Sequence, residues 1–127
     1  MLFSFGHPKG GTRLPPQKSE ILQGTLDLMV LKTLDALGPL HGYGIARRIE
    51  QISEELLQLN EGTVYASLLR LTQNGWISSS WGTSENNRKA KYYSISRAGK
   101  KQLARETRDW QRISGVIGKL LQFAPRR

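Results

Sequence analysis

The 127 residues predict a mainly α fold with one small β-hairpin, α+β in class. Two observations carry this expectation. Apolar residues recur at helical spacing in four separate segments. One pair of alternating segments, WISSSWG and KYYSIS, brackets a polar, turn-rich loop. The length suits one domain with a modest core, and the absence of cysteine excludes disulfides and thiolate chemistry.

The first 18 residues hold six Gly and Pro with no periodicity, and read as a flexible, weakly basic arm. Ser19 is placed to cap a first helix that Gly38-Pro39 stops near Leu37. Its apolar residues, among them Leu22, Leu26 and Met29, cover more than one face. Such a helix is buried on two sides, one of them available to a second subunit. GPLHGYG then reads as a linker into a second helix, about Tyr43 to Glu55, with Ile45, Ile49, Ile52 and Leu56 as its apolar stripe. The connector Leu56 to Leu59 could pair as an edge strand or stay a loop.

Asn60 caps a third helix that ends at Asn74-Gly75. At roughly 100° per residue, Val64, Leu68 and Leu71 share one side, with Leu69 and Tyr65 on its flank, and Thr63, Ala66, Ser67 and Arg70 fall opposite. The hairpin follows, with Arg88, Lys89 and Lys91 at its tip and return strand. Ser96 caps a last helix, about Arg97 to Phe123, in which Leu103, Trp110 and Ile117 recur at seven residues, as do Ile113 and Leu120. A helix of about 27 residues has more apolar stripe than so small a domain can cover, so a second subunit is expected against it.

Charge sharpens the functional expectation. The chain carries a net +9, unevenly placed: Glu20 to Asn60 is acidic, whereas Gly82 to Lys101 holds six basic residues against one acid. Three helices, a basic hairpin and a long helix, in that order, are the arrangement of a winged helix-turn-helix protein. Thr63, Ala66 and Ser67 are small enough for close approach to a major groove about 12 Å wide. Arg70 would reach a guanine edge or a phosphate, Tyr65 would donate its hydroxyl to a phosphate, and Arg88, Lys89 and Lys91 would straddle the flanking backbone. Asn60 and Glu61 open the same helix, and Glu61 stands where the helix dipole favours an anion, opposing a docked phosphate. Each residue also has an ordinary structural reading: Tyr65 as packing, Arg70 as a solvated side chain, the hairpin cations as edge protection.

The sequence resembles the PadR-like family of transcriptional regulators. The resemblance runs through LQGTLDLMVLKTL (Leu22 to Leu34), HGYGIARRI (His41 to Ile49), EGTVYASLLRLTQNGWI (Glu61 to Ile77) and RKAKYYSISRAGKKQL (Arg88 to Leu103). It departs from many relatives at Glu61 and Ala66, where they carry proline, and at Gly44, where they often carry an acid. It implies that Tyr65 is the DNA-binding tyrosine and that a homodimer forms through the first and last helices on a pseudo-palindromic, double-stranded operator. The expected organisation is an arm over 1–18, a winged helix-turn-helix domain over 19–96 with Asn60–Asn74 as recognition helix and Trp76–Ser96 as wing, a dimerisation helix over 97–123 and a tail over 124–127. The expected DNA contacts are Asn60, Glu61, Thr63, Tyr65, Ser67, Arg70, Arg88, Lys89 and Lys91. The expected dimer contacts are Leu22, Leu26, Met29, Leu103, Trp110, Ile113, Ile117 and Leu120, with room for a small-molecule effector at that interface.

Neither His7 nor His41 has carboxylates spaced for a metal site, and no nucleophile motif, paired carboxylates or cofactor loop stands out. GHPKGGT does not follow a strand, as a phosphate loop must. Leu26 to Leu37, broken by three charges, is far short of the roughly 20 residues of a membrane span. A cytoplasmic repressor that is not an enzyme is expected. Two rivals share its charge: a general RNA or single-strand binder, which needs exposed aromatic platforms, and a protein-interaction adaptor built on the last helix.

Overall fold

The computed structural model describes the backbone of residues 18–125 and the side chains of residues 24–125; of the arm expected over 1–18, residues 1–17 lie outside the described part and Lys18 is helical, and the side chain of Leu22 also lies outside it. The described residues form four helices, α1 (Lys18–Leu37), α2 (Gly42–Ile52), α3 (Glu61–Gln73) and α4 (Arg97–Gln122), and a three-stranded antiparallel sheet of β1 (Leu40–His41), β2 (Ile77–Thr83) and β3 (Lys89–Ile95). The helix starts one residue before Ser19, which is thus inside α1 and not its cap.

The strand order is β1-β3-β2. β2 and β3 pair from Ile77↔Ile95 to Thr83↔Lys89, which leaves residues 84–88 as the hairpin tip. There the Ser84 carbonyl accepts from Asn87 N at 2.9 Å, and Asn87 takes the left-handed φ of 60° that asparagine tolerates. β1 lies inside the segment expected to be a linker, and pairs Leu40 with Tyr93 and His41 with Tyr92. Two residues are too few to show an alternating pattern, so only tertiary pairing defines this strand. The other candidate edge strand, Leu56 to Leu59, is a loop.

The core is built from Leu26, Val30, Leu31 and Leu34 of α1, Ile45 and Ile49 of α2, and Val64, Leu68 and Leu71 of α3. Ile77, Tyr93 and Leu103 close it from the sheet and from α4. Full burial of each aliphatic side chain is worth about 1.5–3 kcal/mol, so this cluster is the main source of stability. Two expectations about α2 change: the helix stops at Ile52, and Ile52 and Leu56 are exposed. Glu54 and Glu55 follow in left-handed conformations, which breaks the stripe before Leu56 can join it.

α2 is tied to the loop after it through Glu50. Its carboxylate accepts from Leu59 N at 2.9 Å and pairs with Arg47 at 2.8 Å. The Leu59 amide first, and Arg47 second, hold the Glu50 pKa below its ordinary value. α4 is seated by Ser96, whose hydroxyl donates to the Gly75 carbonyl at 2.7 Å and accepts from Gly99 N at 3.0 Å. Gly99 is buried so tightly that a Cβ would overlap the Trp76 carbonyl. Lys100 reaches Asp35 of α1 at 3.6 Å.

Leu26 and Leu103, expected at a dimer contact, instead belong to this core, only 1% and 7% exposed. An apolar stripe does not reveal which of its members its own chain covers. Beyond Leu103 the stripe of α4 has little cover: Trp110, Ile113, Val116, Ile117, Leu120 and Leu121 are all exposed. α1, α2 and α4 flank an open, apolar cleft of about 430 Å³ whose walls include Met29, Ile52, Leu57 and Trp110.

Candidate nucleic-acid interface

α3 is a regular helix with both ends defined by sequence. Asn60 Oδ1 accepts from Thr63 N at 2.8 Å, so the Asn60 side chain is engaged as the N-cap. At the other end Gly75, with φ of 76°, supplies the left-handed turn that releases the chain into β2. Val64, Leu68 and Leu71 face inward as expected.

The polar arc is oriented differently from its sequence expectation. Ser67 is wholly buried and donates to Asp27 Oδ1 of α1 at 2.6 Å. Arg70 closes a fork on the same carboxylate, from Nη2 to Oδ1 at 2.7 Å and from Nε to Oδ2 at 3.1 Å. Ser67 is thus not on the open face, and the guanidinium of Arg70 is committed to holding α3 on α1. Asp27 explains both corrections: a half-buried carboxylate among apolar residues is tolerated only when hydrogen-bonded and paired. The presented arc includes Gly62, Tyr65, Ala66, Leu69 and Gln73, with Glu61 and Thr72 on its Tyr65 side, all exposed. Its centre is rotated by roughly 95° from the expected one at 100° per residue.

Tyr65 is 59% exposed on this arc, Thr63 sits half-buried at its edge, and Glu61 is exposed in the first turn. Leu69, which sequence reasoning placed on the flank of the buried side, is 49% exposed. Gln73 was not singled out; its position eleven residues after Gly62, three helical turns on, is the signal that would have found it.

The wing projects beyond this helix with Arg88, Lys89 and Lys91 all exposed. Lys89 and Lys91 extend over the exposed Trp81 ring, their ammoniums 5.8 and 5.7 Å from its centroid. The indole therefore holds two cations on one side of the hairpin by cation–π attraction. At the sheet's other edge His41 acts locally: Nδ1 accepts from Gly44 N at 2.9 Å and caps α2, and its ring lies 5.4 Å from that of Tyr92. Among the described residues no group of three or more His, Asp or Glu could hold a metal ion, and no helix is long and apolar enough to cross a membrane.

Three packed helices, a basic wing on a small antiparallel sheet and a trailing long helix define the winged helix-turn-helix class. The chain belongs to the transcriptional regulator PadR-like family, whose sequence profile matches residues 30–105. It is similar to the structure of a transcriptional regulator from Clostridium thermocellum, with 30% identity, a TM-score of 0.73, and coverage of 81% of this chain and 99% of the other. A PadR-like transcriptional regulator from Bacillus cereus aligns with 26% identity and a TM-score of 0.71 over 83% of this chain and 99% of its own. An uncharacterized protein from Lysinibacillus sphaericus is 29% identical over 100 residues, 79% of this chain and 91% of the relative.

Proposed function

We propose that this transcriptional regulator is a homodimeric, cytoplasmic repressor that places α3 in the major groove of a pseudo-palindromic operator and its wing on the flanking backbone. The carrying observation is the pairing of an open α3 face bearing Tyr65 with three exposed cations on the adjacent wing. Division of labour follows the fold: residues 19–96 bind DNA, and 97–123 pair with a second copy through Trp110, Ile113, Ile117 and Leu120. The exposure of these four side chains supports that pairing, since a monomer would leave a long apolar stripe in water. Met29 opens onto the apolar cleft beside α4, which has the volume of a small-molecule site and is where an effector would bind.

Selection of duplexes from a random pool, followed by footprinting, tests this directly. The expected result is an inverted repeat whose half-sites are about 10 bp apart, or a multiple of that, bound by two chains. Tyr65→Phe should weaken operator binding and leave the dimer intact in sedimentation. No enriched sequence, or equal competition by single-stranded DNA, would refute the proposal. The single-strand reading has some support from the exposed Trp81 and Tyr43 rings, and that competition decides it.

A further inference from the structure

We infer that Leu69 reads the 5-methyl group of a thymine in each operator half-site. The inference rests on α3 being the helix that enters the groove, and it specifies what the centre of that face recognises.

Every other apolar side chain of α3 larger than alanine, tyrosine aside, is at most 2% exposed: Val64, Leu68 and Leu71. Leu69 alone among them turns outward, at 49% exposure, and sits between Tyr65 and Gln73, one turn away on either side. Its neighbours across the arc are Gly62 and Ala66, too small to hold a groove wall away. Leu69 is therefore the projecting aliphatic group on this face, with small residues on one side of it and Tyr65 and Gln73 above and below. Ser67 and Arg70 are withdrawn from this face, both being bound to Asp27, which leaves Tyr65 and Gln73 as the polar groups flanking Leu69.

The chemistry of the groove selects the partner. Major-groove base edges present acceptors and amino donors, and only thymine adds an apolar group. A branched aliphatic side chain pressed on a purine or cytosine edge would desolvate a polar atom and offer nothing in exchange. Against a thymine methyl it removes two apolar surfaces from water together. The one charge beside this arc, Glu61 two turns below Leu69, repels phosphate, while the cations needed for the backbone stand on the wing.

The test uses the full-length protein and the duplex that selection returns. Each thymine in turn is replaced by deoxyuracil, which removes the methyl and leaves base pairing intact. Wild type should lose roughly fourfold to tenfold in affinity at one thymine per half-site, the loss expected for one buried methyl group. Leu69→Ala should bind the thymine duplex weaker by a similar factor and be insensitive to that uracil. Leu69 is outside the core, and an unchanged melting temperature would establish that the variant is folded. A flat uracil scan on a well-bound operator, or a scan unchanged by Leu69→Ala, would overturn the role of Leu69 alone. Capture of no duplex at all would overturn the DNA-binding proposal and this inference with it. Loss of self-association in Leu69→Ala would reassign the residue to a protein contact.

Discussion

Replacing Asp27 with alanine removes the acceptor for all three hydrogen bonds that run from Ser67 and Arg70 of α3 to α1. The larger share of the cost comes from Ser67. Its hydroxyl is 0% exposed, and an orphaned buried hydroxyl costs about 1–3 kcal/mol. Arg70 contributes less: its side chain is 32% exposed and rehydrates, so the ion pair is discounted to about 0.5–1 kcal/mol. Alanine's better helix propensity offsets up to about 0.6 kcal/mol. A net destabilisation of about 2 kcal/mol follows, or a fall in Tm of roughly 5–10 °C for a domain of this size.

Urea unfolding at one fixed protein concentration measures this, so that any self-association contributes equally to each variant. The double variant Asp27→Ala/Ser67→Ala adds a sharper check. Removing both partners leaves no orphan, so the pair should show a coupling of about 1 kcal/mol between the two sites. A single-variant change below about 0.5 kcal/mol, or additive effects, would refute the assignment of Asp27 as the latch between these helices.

Three further outcomes follow from the same structure. Gly99→Ala should destabilise by about 1–3 kcal/mol in the same unfolding assay despite alanine's helix preference, because the new methyl group meets the Trp76 backbone rather than a movable side chain. Glu50 has a lowered pKa in the fold, so its contribution is fully present above the ordinary value of 4.5 and is lost as pH falls through the folded value. The urea-midpoint gap between wild type and Glu50→Ala should therefore be wide at neutral pH and close below pH 4.5. Neutralising Lys89 and Lys91 should reduce the slope of log K against log salt by about one for each phosphate that the wing no longer neutralises, and an unaltered slope would take the wing off the DNA.

Much of the architecture was legible because its signals are local. Asn60, Ser96 and Gly75 act within one helical turn of themselves, and the hairpin announces itself through a polar loop between alternating segments. The errors share one cause, the equation of polar with exposed and of apolar with buried. Ser67 is polar and buried because an acid 40 residues earlier requires a donor; Leu69 is apolar and exposed because the buried stripe of α3 is already complete without it. Asp27 was the available clue. A lone carboxylate flanked by Leu26 and Leu28 on a helix packed into the core needs a cation, and Arg70 is the cation that the adjacent helix supplies. Had that requirement been imposed first, Arg70 and Ser67 would have been drawn inward and the open face of α3 would have rotated onto Tyr65 and Leu69. The bonds from Ser67 and Arg70 to Asp27 thus help to decide which side chains this helix presents, so the residues that hold α3 in place also set the chemistry of its open face.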